Sequence, residues 1–183
     1  MTCTEEELIK RLKDASTFDE AFMQVVNQYK ERLYWHIRHI VKIHEDADDV
    51  LQNVFVKVYK NVHSFKGESK LYSWMYRIAT NESITFIHKR SKKMALSVED
   101  YQYQLAGELH QDDYFSGDEI QLVLQQAIAQ LPQRQQQVFN MRYFQEMKYY
   151  EIAEITELSV GALKSSYHHA VKKIEEFVKQ RAA

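Results

Sequence analysis

The sequence has few of the residues that form tight turns and cross-links: four glycines, one proline and one cysteine among 183 residues. So few turn residues argue against a sandwich or barrel of short strands and favour long helices. The lone Cys3 is incompatible with a disulfide framework or a CxxC zinc pair. No apolar run reaches the roughly 18 residues of a membrane span, and the first residues lack a signal-peptide core. We therefore expect a soluble, cytoplasmic, mostly helical protein without membrane insertion.

Acidic and basic residues nearly balance, at a net charge of −2, but they are segregated along the chain. Residues 57–93 contain nine Lys and Arg against two Asp and Glu, and residues 164–181 contain five against two. Between these blocks, residues 97–122 contain seven acids and no Lys or Arg. Asymmetry of this kind says more about partners than the total charge does. It predicts two surfaces that meet a polyanion, joined by a segment that avoids it.

Apolar residues recur at helical spacing through most of the chain. The spacing predicts helices over 18–43 and 47–62, and a third from a Ser69 N-cap through about Lys92. Over 97–117 the periodicity fails and the residues are acidic and polar, which predicts a flexible linker.

A second helical block follows this segment. Its first apolar stripe begins at Ile120, and Pro132, which suits a first helical turn, opens the next helix. The predicted fold is all-α, with two small helical domains over 1–95 and 118–183 joined by a flexible acidic linker over 96–117.

The last two predicted helices, roughly 149–156 and 160–178, fit a helix-turn-helix. Ala153 is the small residue that the first helix needs, and Leu158 and Leu163 fill the angle between the helices. Hydroxyls and flat imidazoles suit base edges in a major groove, and lysines suit phosphates. The second helix exposes such side chains at Lys164, Ser165, Ser166, His168, His169 and Lys172. The same periodicity also fits an ordinary helical hairpin with a solvated polar face.

The segment 70–93 interleaves cations with aromatic rings. The cations include Lys70, Arg77, Lys89 and Arg90, and the rings are Tyr72, Trp74 and Tyr76. Cations that follow phosphates and rings that stack on unpaired bases are the ingredients of single-strand binding. The alternative is that some of these rings belong to the core, and for Trp74 and Ile78 this alternative is favoured.

Two stretches of the chain together resemble one known family. The run DADDVLQNVFVKVYKNVHSFKGESKLYSWMYRIATN at 46–81 resembles the second conserved region of extracytoplasmic-function (group four) sigma factors of bacterial RNA polymerase. The run LPQRQQQVFNMRYFQEMKYYEIAEITELSVGALKSSYHHAVKKI at 131–174 resembles their fourth region. The resemblance implies a non-enzymatic initiation factor that docks on core RNA polymerase, melts the −10 promoter element and reads the −35 duplex. It also implies an anti-sigma factor that holds the free protein.

The resemblance further implies roles for individual residues. Docking on core polymerase maps onto Asp48, Asp49, Gln52 and Phe55. The loop and helix that unpair the −10 element map onto Phe65, Lys66, Gly67, Ser69, Ile78 and Asn81. The basic segment extends this −10 surface to Arg77, His88, Lys89 and Arg90. The −35 contacts map onto Lys164, Ser165, Ser166, His168, His169 and Lys172.

Two positions give specific expectations about geometry. Phe65, in a loop beside Gly67, is expected to wedge against an unstacked base. Glu157 replaces the glycine usual in the helix-turn-helix turn, and a left-handed conformation there would cost about 1–2 kcal/mol. We therefore expect a turn of different shape.

Other classes of function have weaker support. The segment His44–Asp49 lacks the glycine and closing glutamate of an EF-hand loop, and His36 and His39 lack a third metal ligand. P-loop, HExxH, GxSxG and Gly-rich dinucleotide motifs are absent, so we expect no enzyme, no metal site and no cofactor. The main alternative is a stand-alone helix-turn-helix regulator with an N-terminal helical dimerisation or ligand domain. Such a domain has no need of a basic aromatic helix after an acidic one, which favours the sigma factor.

Overall fold

The computed structural model describes residues 4–115 and 117–182, so Cys3 lies outside the described residues. Within them the chain forms nine α-helices and no strand, which confirms the all-α prediction. The helices are α1 Glu5–Lys13, α2 Phe18–Val41, α3 His44–Asn61, α4 Leu71–Lys93, α5 Val98–Glu108, α6 Glu119–Ala129, α7 Gln133–Tyr143, α8 Tyr149–Thr156 and α9 Val160–Ala182. Short 3-10 turns follow α3 at Val62–Ser64 and α5 at Leu109–Gln111.

Helices α2, α3 and α4 pack against one another, and α1 lies against α2. Apolar residues four positions apart line one face of each helix. On α3 the buried positions Val50, Val54 and Val58 show this spacing, and Leu71 and Met75 do so on α4. The first turn of α1 is fixed by a capping box, in which Thr4 and Glu7 exchange hydrogen bonds with each other's backbone amides.

Two helix starts differ from the predictions. Helix α3 begins at His44 rather than near Ala47, and Asp46 in its first turn is buried and accepts from Arg90 Nη2 at 3.0 Å. Helix α4 begins one residue later than predicted, so Ser69 is not its N-cap. The Leu71 amide instead donates to Glu5 Oε1 of α1 at 2.9 Å. A long-range carboxylate thus replaces the local serine cap.

The segment 97–117 was predicted to be irregular, and this prediction is wrong for α5. Ser97 caps α5 by accepting from the Asp100 amide at 3.0 Å. Tyr101, Leu105 and Leu109, four residues apart, are buried, and α5 packs on α4 and α6. Glutamines and Glu108 lie between these apolar positions, Glu99 and Asp100 precede them, and together these polar residues conceal the helical spacing. Mobility of the segment in the free protein stays a prediction.

Helices α6, α7 and α9 enclose a second, smaller core. Its buried members are Ala127, Ile128, Leu131, Phe139, Ala170 and Ile174. Ile120 was predicted to begin the apolar stripe of α6, but its side chain is 79% exposed at the start of that helix. Pro132 precedes α7 directly, as predicted for a residue that opens a helix.

The larger core joins both halves of the chain. It combines the buried residues of α1–α4 with Val138 and Met141 of α7, Ile152 and Ile155 of α8, and Leu163 of α9. The two predicted domains therefore pack against each other in this structure. Their boundaries at 95 and 118 stay a prediction.

Candidate nucleic-acid and polymerase interfaces

The helix-turn-helix forms where it was predicted, from α8 and α9. Leu163 is fully buried, and Leu158 packs partly buried against the same core. Glu157 adopts the left-handed conformation, with φ 60° and ψ 23°, and its amide donates to the Ala153 carbonyl at 2.9 Å. The expectation of a different turn is therefore wrong, because the helix-ending geometry is kept despite the strain on a residue with a side chain.

The predicted −35 residues form one accessible surface along the first half of α9. Lys164, Ser165, His168, His169 and Lys172 are exposed, and Ser166 is half-buried. The opposite side of the helix, with Leu163, Ala170 and Ile174, faces the core. The exposed side can therefore enter a groove without unpacking the domain.

The predicted polymerase-docking residues lie together at the start of α3. Asp49 and Gln52 are exposed, Asp48 is half-buried, and His44 Nε2 lies 3.5 Å from an Asp48 oxygen. Phe55, one turn further, is half-buried.

An aromatic cluster continues this surface. The Phe55 ring meets Phe22 edge-on, with centroids 6.4 Å apart, and Phe22 in turn meets Tyr59 at 5.1 Å. Phe18 is buried and supports the cluster from the core side, against Tyr59 at 4.9 Å. Of these rings only Phe55 was predicted to lie at the docking surface. The four-residue spacings Phe18–Phe22 and Phe55–Tyr59 were the signal that could have identified the others.

The loop before α4 corrects one prediction. The Phe65 side chain is only 6% exposed, and its ring lies 5.2 Å from Trp74. It fills space at the start of α4 instead of projecting as a wedge. Lys66 and Gly67 next to it are exposed, and Gly67 has φ 77°, a left-handed value that favours glycine.

Along α4 the predicted −10 residues divide into core and surface positions. Trp74 and Ile78 are half-buried against the main core, as the core alternative predicted. Asn81 is exposed, as are His88, Lys89 and Arg90 at the C-terminal end of the helix. The Arg90 guanidinium lies over the Phe86 ring at 5.1 Å, so its position is fixed by both this ring and Asp46.

The N-terminal half of α4 faces α8. Tyr72 Oη donates to Glu151 Oε1 at 2.6 Å, and Ser73 Oγ donates to Glu154 Oε2 at 2.8 Å. Arg77 pairs with Glu157 at 2.8 Å and also donates to the Glu154 carbonyl. Burial raises the pKa of Tyr72, and its hydrogen bond to Glu151 raises that pKa further. Burial alone would raise the pKa of Glu151, but the bonds from Tyr72 and the Lys148 amide outweigh it and lower the pKa.

A buried polar layer joins the last turns of α2 to the C-terminal half. Arg38 pairs with Asp112, Lys42 Nζ donates to Gln125 Oε1 at 2.6 Å, and the His39 ring stacks on Phe144 at 3.9 Å. Burial lowers the pKa of Lys42 to about 7. It lowers the pKa of His39 to about 3, with Lys42 and other nearby cations adding to the effect. Sequence reasoning missed this layer because its partners come from distant positions.

Neither a metal centre nor a membrane helix is indicated in the described part of the chain. No group of three or more histidine, cysteine, aspartate or glutamate side chains among residues 4–115 and 117–182 could hold a metal ion. None of the helices in these ranges has the length and apolar character needed to cross a membrane.

Comparison with known proteins places two family models on this chain. The model described as Sigma-70 region 2 matches residues 25–93, and the model described as Sigma-70, region 4 matches residues 121–174. The first match covers most of α2, then α3 and α4, and the second covers α6 to the middle of α9.

Curated relatives match over nearly their whole length. The chain is 32% identical to the ECF RNA polymerase sigma factor SigW of Bacillus subtilis (strain 168), over 87% of this chain and 90% of the relative. It is 25% identical to the ECF RNA polymerase sigma-E factor of Escherichia coli (strain K12), over 96% of this chain and 94% of the relative.

Solved structures share the fold. CnrH in complex with the cytosolic domain of CnrY gives a TM-score of 0.70 at 21% identity, covering 96% of this chain and 97% of that chain. The sigma factor RpoE of Bartonella quintana, in complex with the anti-sigma factor NepR, gives a TM-score of 0.64 at 20% identity, covering 86% and 96% respectively.

Proposed function

The chain belongs to the extracytoplasmic-function (ECF) family of RNA polymerase sigma factors, which direct the polymerase to specific promoters, and we propose how its surfaces divide this work. The start of α3 docks on core polymerase, the loop before α4 and α4 itself engage the −10 element, and α9 reads the −35 duplex. The observation that supports this division best is the position of the two conserved regions. Each falls on a set of packed helices, and the region-4 helix-turn-helix leaves its reading surface exposed.

For polymerase docking we propose Asp48, Asp49 and Gln52, with Phe55 and the aromatic cluster beside them. Carboxylates and an amide at the rim of a ring cluster suit a protein interface with an apolar centre and a polar rim. The exposed end of α4 is basic instead. This difference supports assigning α3 and α4 to different partners.

For the −10 element we propose Lys66, Gly67, Ser69, Arg77 and Asn81, with His88, Lys89 and Arg90 at the far end of α4. Exposed cations along one helix follow a phosphate backbone, and Asn81 offers both a donor and an acceptor to a base edge. Phe65 is omitted because its ring is part of the core.

For the −35 element we propose Ser165, Ser166, His168 and His169 as readers of base edges, with Lys164 and Lys172 on phosphates. The imidazoles of His168 and His169 are exposed, with centroids 6.0 Å apart. Each neutral imidazole offers one donor and one acceptor to a base edge, which supports a sequence-reading role.

We further propose that the protein supplies no catalytic step, binds no cofactor and acts in the cytoplasm beside RNA polymerase. The expected inhibitor is an anti-sigma factor. This expectation is supported by the two fold neighbours, which were solved with CnrY and with the anti-sigma factor NepR. The stand-alone regulator is not favoured, because its N-terminal dimerisation or ligand domain would not match Sigma-70 region 2.

The function is tested by run-off transcription from genomic DNA with purified core polymerase. We expect discrete transcripts when the protein and core are combined, and none with either component alone. Transcripts whose start sites share −10 and −35 sequences would support the division of work. Failure of any transcript to depend on the protein would contradict the proposed function.

Docking is tested by replacing Asp48, Asp49 and Gln52 together with alanine. These side chains are at the surface, so we expect a near-native circular-dichroism melt but weaker binding to core polymerase in a pull-down titration. The matched control replaces two exposed glutamates and an exposed glutamine of α9 with alanine, at Glu175, Glu176 and Gln180. Equal affinity of both variants for core would place the docking surface elsewhere.

A further inference from the structure

A cleft beside α2 is lined by aromatic rings and belongs to none of the surfaces assigned above. This aromatic cleft lies where α2, residues 114–115 and the end of α7 meet, and its volume is about 440 Å³. Proteins bind small molecules in clefts of roughly 300–1,000 Å³ that combine aromatic walls with a few polar groups. None of its lining residues was assigned to promoter DNA or to core polymerase, so a ligand here is independent of the proposed function.

One wall of the aromatic cleft is a continuous row of rings. The centroids of Tyr114 and Trp35 lie 4.5 Å apart, and those of Trp35 and His39 lie 6.3 Å apart. The His39 ring in turn stacks on Phe144 at 3.9 Å. Tyr114 is 63% exposed, and Trp35 and Phe144 are half-buried, so these three side chains are accessible to a ligand. The faces of such rings carry partial negative charge and attract cations.

The charged groups at the cleft also favour a cation. Glu31 and Glu146 line the cleft, are exposed and form no ion pair with any described residue. The guanidinium of Arg32, which lines it too, lies over the buried Tyr76 ring at 5.9 Å. His39 adds no positive charge at neutral pH, because burial and nearby cations lower its pKa to about 3. Two unpaired carboxylates therefore outweigh one guanidinium that already has an aromatic partner.

The backbone of Glu146 supports a binding role for its carboxylate. Its φ is 51°, in the left-handed region that a residue with a side chain adopts only at a cost in free energy. A glycine would adopt the same conformation without that cost. Strained residues of this kind are frequent at binding sites, and here the strained residue places a carboxylate at the cleft.

We propose that the aromatic cleft binds a small organic ammonium ion, with Trp35, Tyr114 and Phe144 against its methyl groups and Glu31 and Glu146 near its charge. A methylated ammonium suits both parts, because its charge is attracted by ring faces as well as by carboxylates. A metal ion does not suit the cleft. Among residues 4–115 and 117–182, no group of three or more histidine, cysteine, aspartate or glutamate side chains could hold one.

The test titrates choline into the full chain at constant ionic strength. The chain has two tryptophans, so Trp74→Phe leaves Trp35 as the fluorescent reporter of the cleft. The matched control ligand is the alcohol in which a tert-butyl group replaces the trimethylammonium group of choline. It keeps the shape of choline and lacks the charge.

Two variants of this parent protein test the assigned side chains. The first combines Glu31→Gln with Glu146→Gln, and the second is Tyr114→Leu. The control variant combines Glu175→Gln with Glu176→Gln, which removes the same charge from exposed side chains of α9 that do not line the cleft. A circular-dichroism melt of each variant verifies its fold.

We expect a saturable change of Trp35 fluorescence with choline, at a dissociation constant on the order of millimolar, and none with the uncharged alcohol. The variant without the two carboxylates should bind choline about fivefold more weakly, and Tyr114→Leu about threefold more weakly. The α9 control should bind like the parent. Equal binding of the alcohol, an unchanged dissociation constant without the carboxylates, or no saturable change would overturn the inference. If a variant is unfolded, the comparison of choline with the alcohol on the parent protein decides.

Discussion

Lys42 provides a direct test of the junction between the two halves. Its side chain is 1% exposed, and its ammonium donates to the amide oxygen of Gln125 on α6. Arg38, in the last turn of α2, repels the ammonium and adds to the effect of burial. We predict that Lys42→Met stabilises the protein at pH 7. We also predict that it removes the increase in the free energy of unfolding that the wild type shows between pH 7 and pH 9.

The size of the effect follows from the pKa of Lys42. Burial lowers this pKa from 10.5 to about 7. A base whose pKa is lowered binds fewer protons in the folded state, so stability rises with pH between about 7 and the unfolded value of 10.5. At about 1.4 kcal/mol per pKa unit, the free energy of unfolding should rise by about 2 kcal/mol from pH 7 to pH 9. At pH 7 the substitution removes on the order of 5 kcal/mol of penalty and loses a hydrogen bond of about 2 kcal/mol, so the net gain is about 3 kcal/mol.

The assay is urea denaturation at pH 7 and pH 9, followed by circular dichroism. Wild type and the surface control Lys60→Met should both gain stability at pH 9, whereas Lys42→Met should show no gain. A rise of the same size in Lys42→Met would refute the assignment of the pH dependence to this lysine.

The remaining predictions concern the two DNA-facing regions. Phe65→Ala should lower the free energy of unfolding by about 3 kcal/mol, measured in urea, because it empties a core position; a loss below about 0.5 kcal/mol, typical of a surface site, would contradict its burial. Glu157→Val should be less stable than Glu157→Gly by about 1–2 kcal/mol, because both lose the pair with Arg77 but only valine resists the left-handed turn; equal melting temperatures would show that the turn is not left-handed. His169→Ala should change base preference at particular −35 positions in transcription from a randomised promoter library, whereas Lys172→Ala should weaken all promoters alike and reduce the salt slope by about one; unchanged preferences for His169→Ala would remove it from the reading surface.

Local patterns predicted much of this fold from the sequence. The bounds of α8 match the prediction, and α9 starts at the predicted residue. Ile152 and Ile155 in α8, and Leu163, Ala170 and Ile174 in α9, keep a helical spacing within each helix. The start of α4 was misplaced by one residue because its first amide is satisfied by Glu5, 66 positions away. No pattern of near neighbours contains that information.

The two errors at larger scale have the same origin. Helix α5 was hidden because two glutamines lie between its buried Tyr101 and Leu105 and two acids precede them, and a polar composition is typical of linkers. Phe65 was assigned to the −10 element by the family resemblance and by its place in a loop beside Gly67, and neither of these tells a buried ring from an exposed one. The contact between α4 and α8 was not predicted either, because it depends on tertiary packing. The charges of Glu151, Glu154 and Arg77 are compatible with this contact but do not specify it.

The central claim is that this sigma factor engages promoters as part of the polymerase, with α9 on the −35 element and α4 on the −10 element. Footprinting with permanganate and DNase I on one promoter, with the protein alone and with core polymerase, tests it most directly. We predict protection of both elements and reactive, unpaired thymines at −10 only when core is present. Protection of a two-fold symmetric site by the protein alone, without unpaired bases when core is added, would contradict the account.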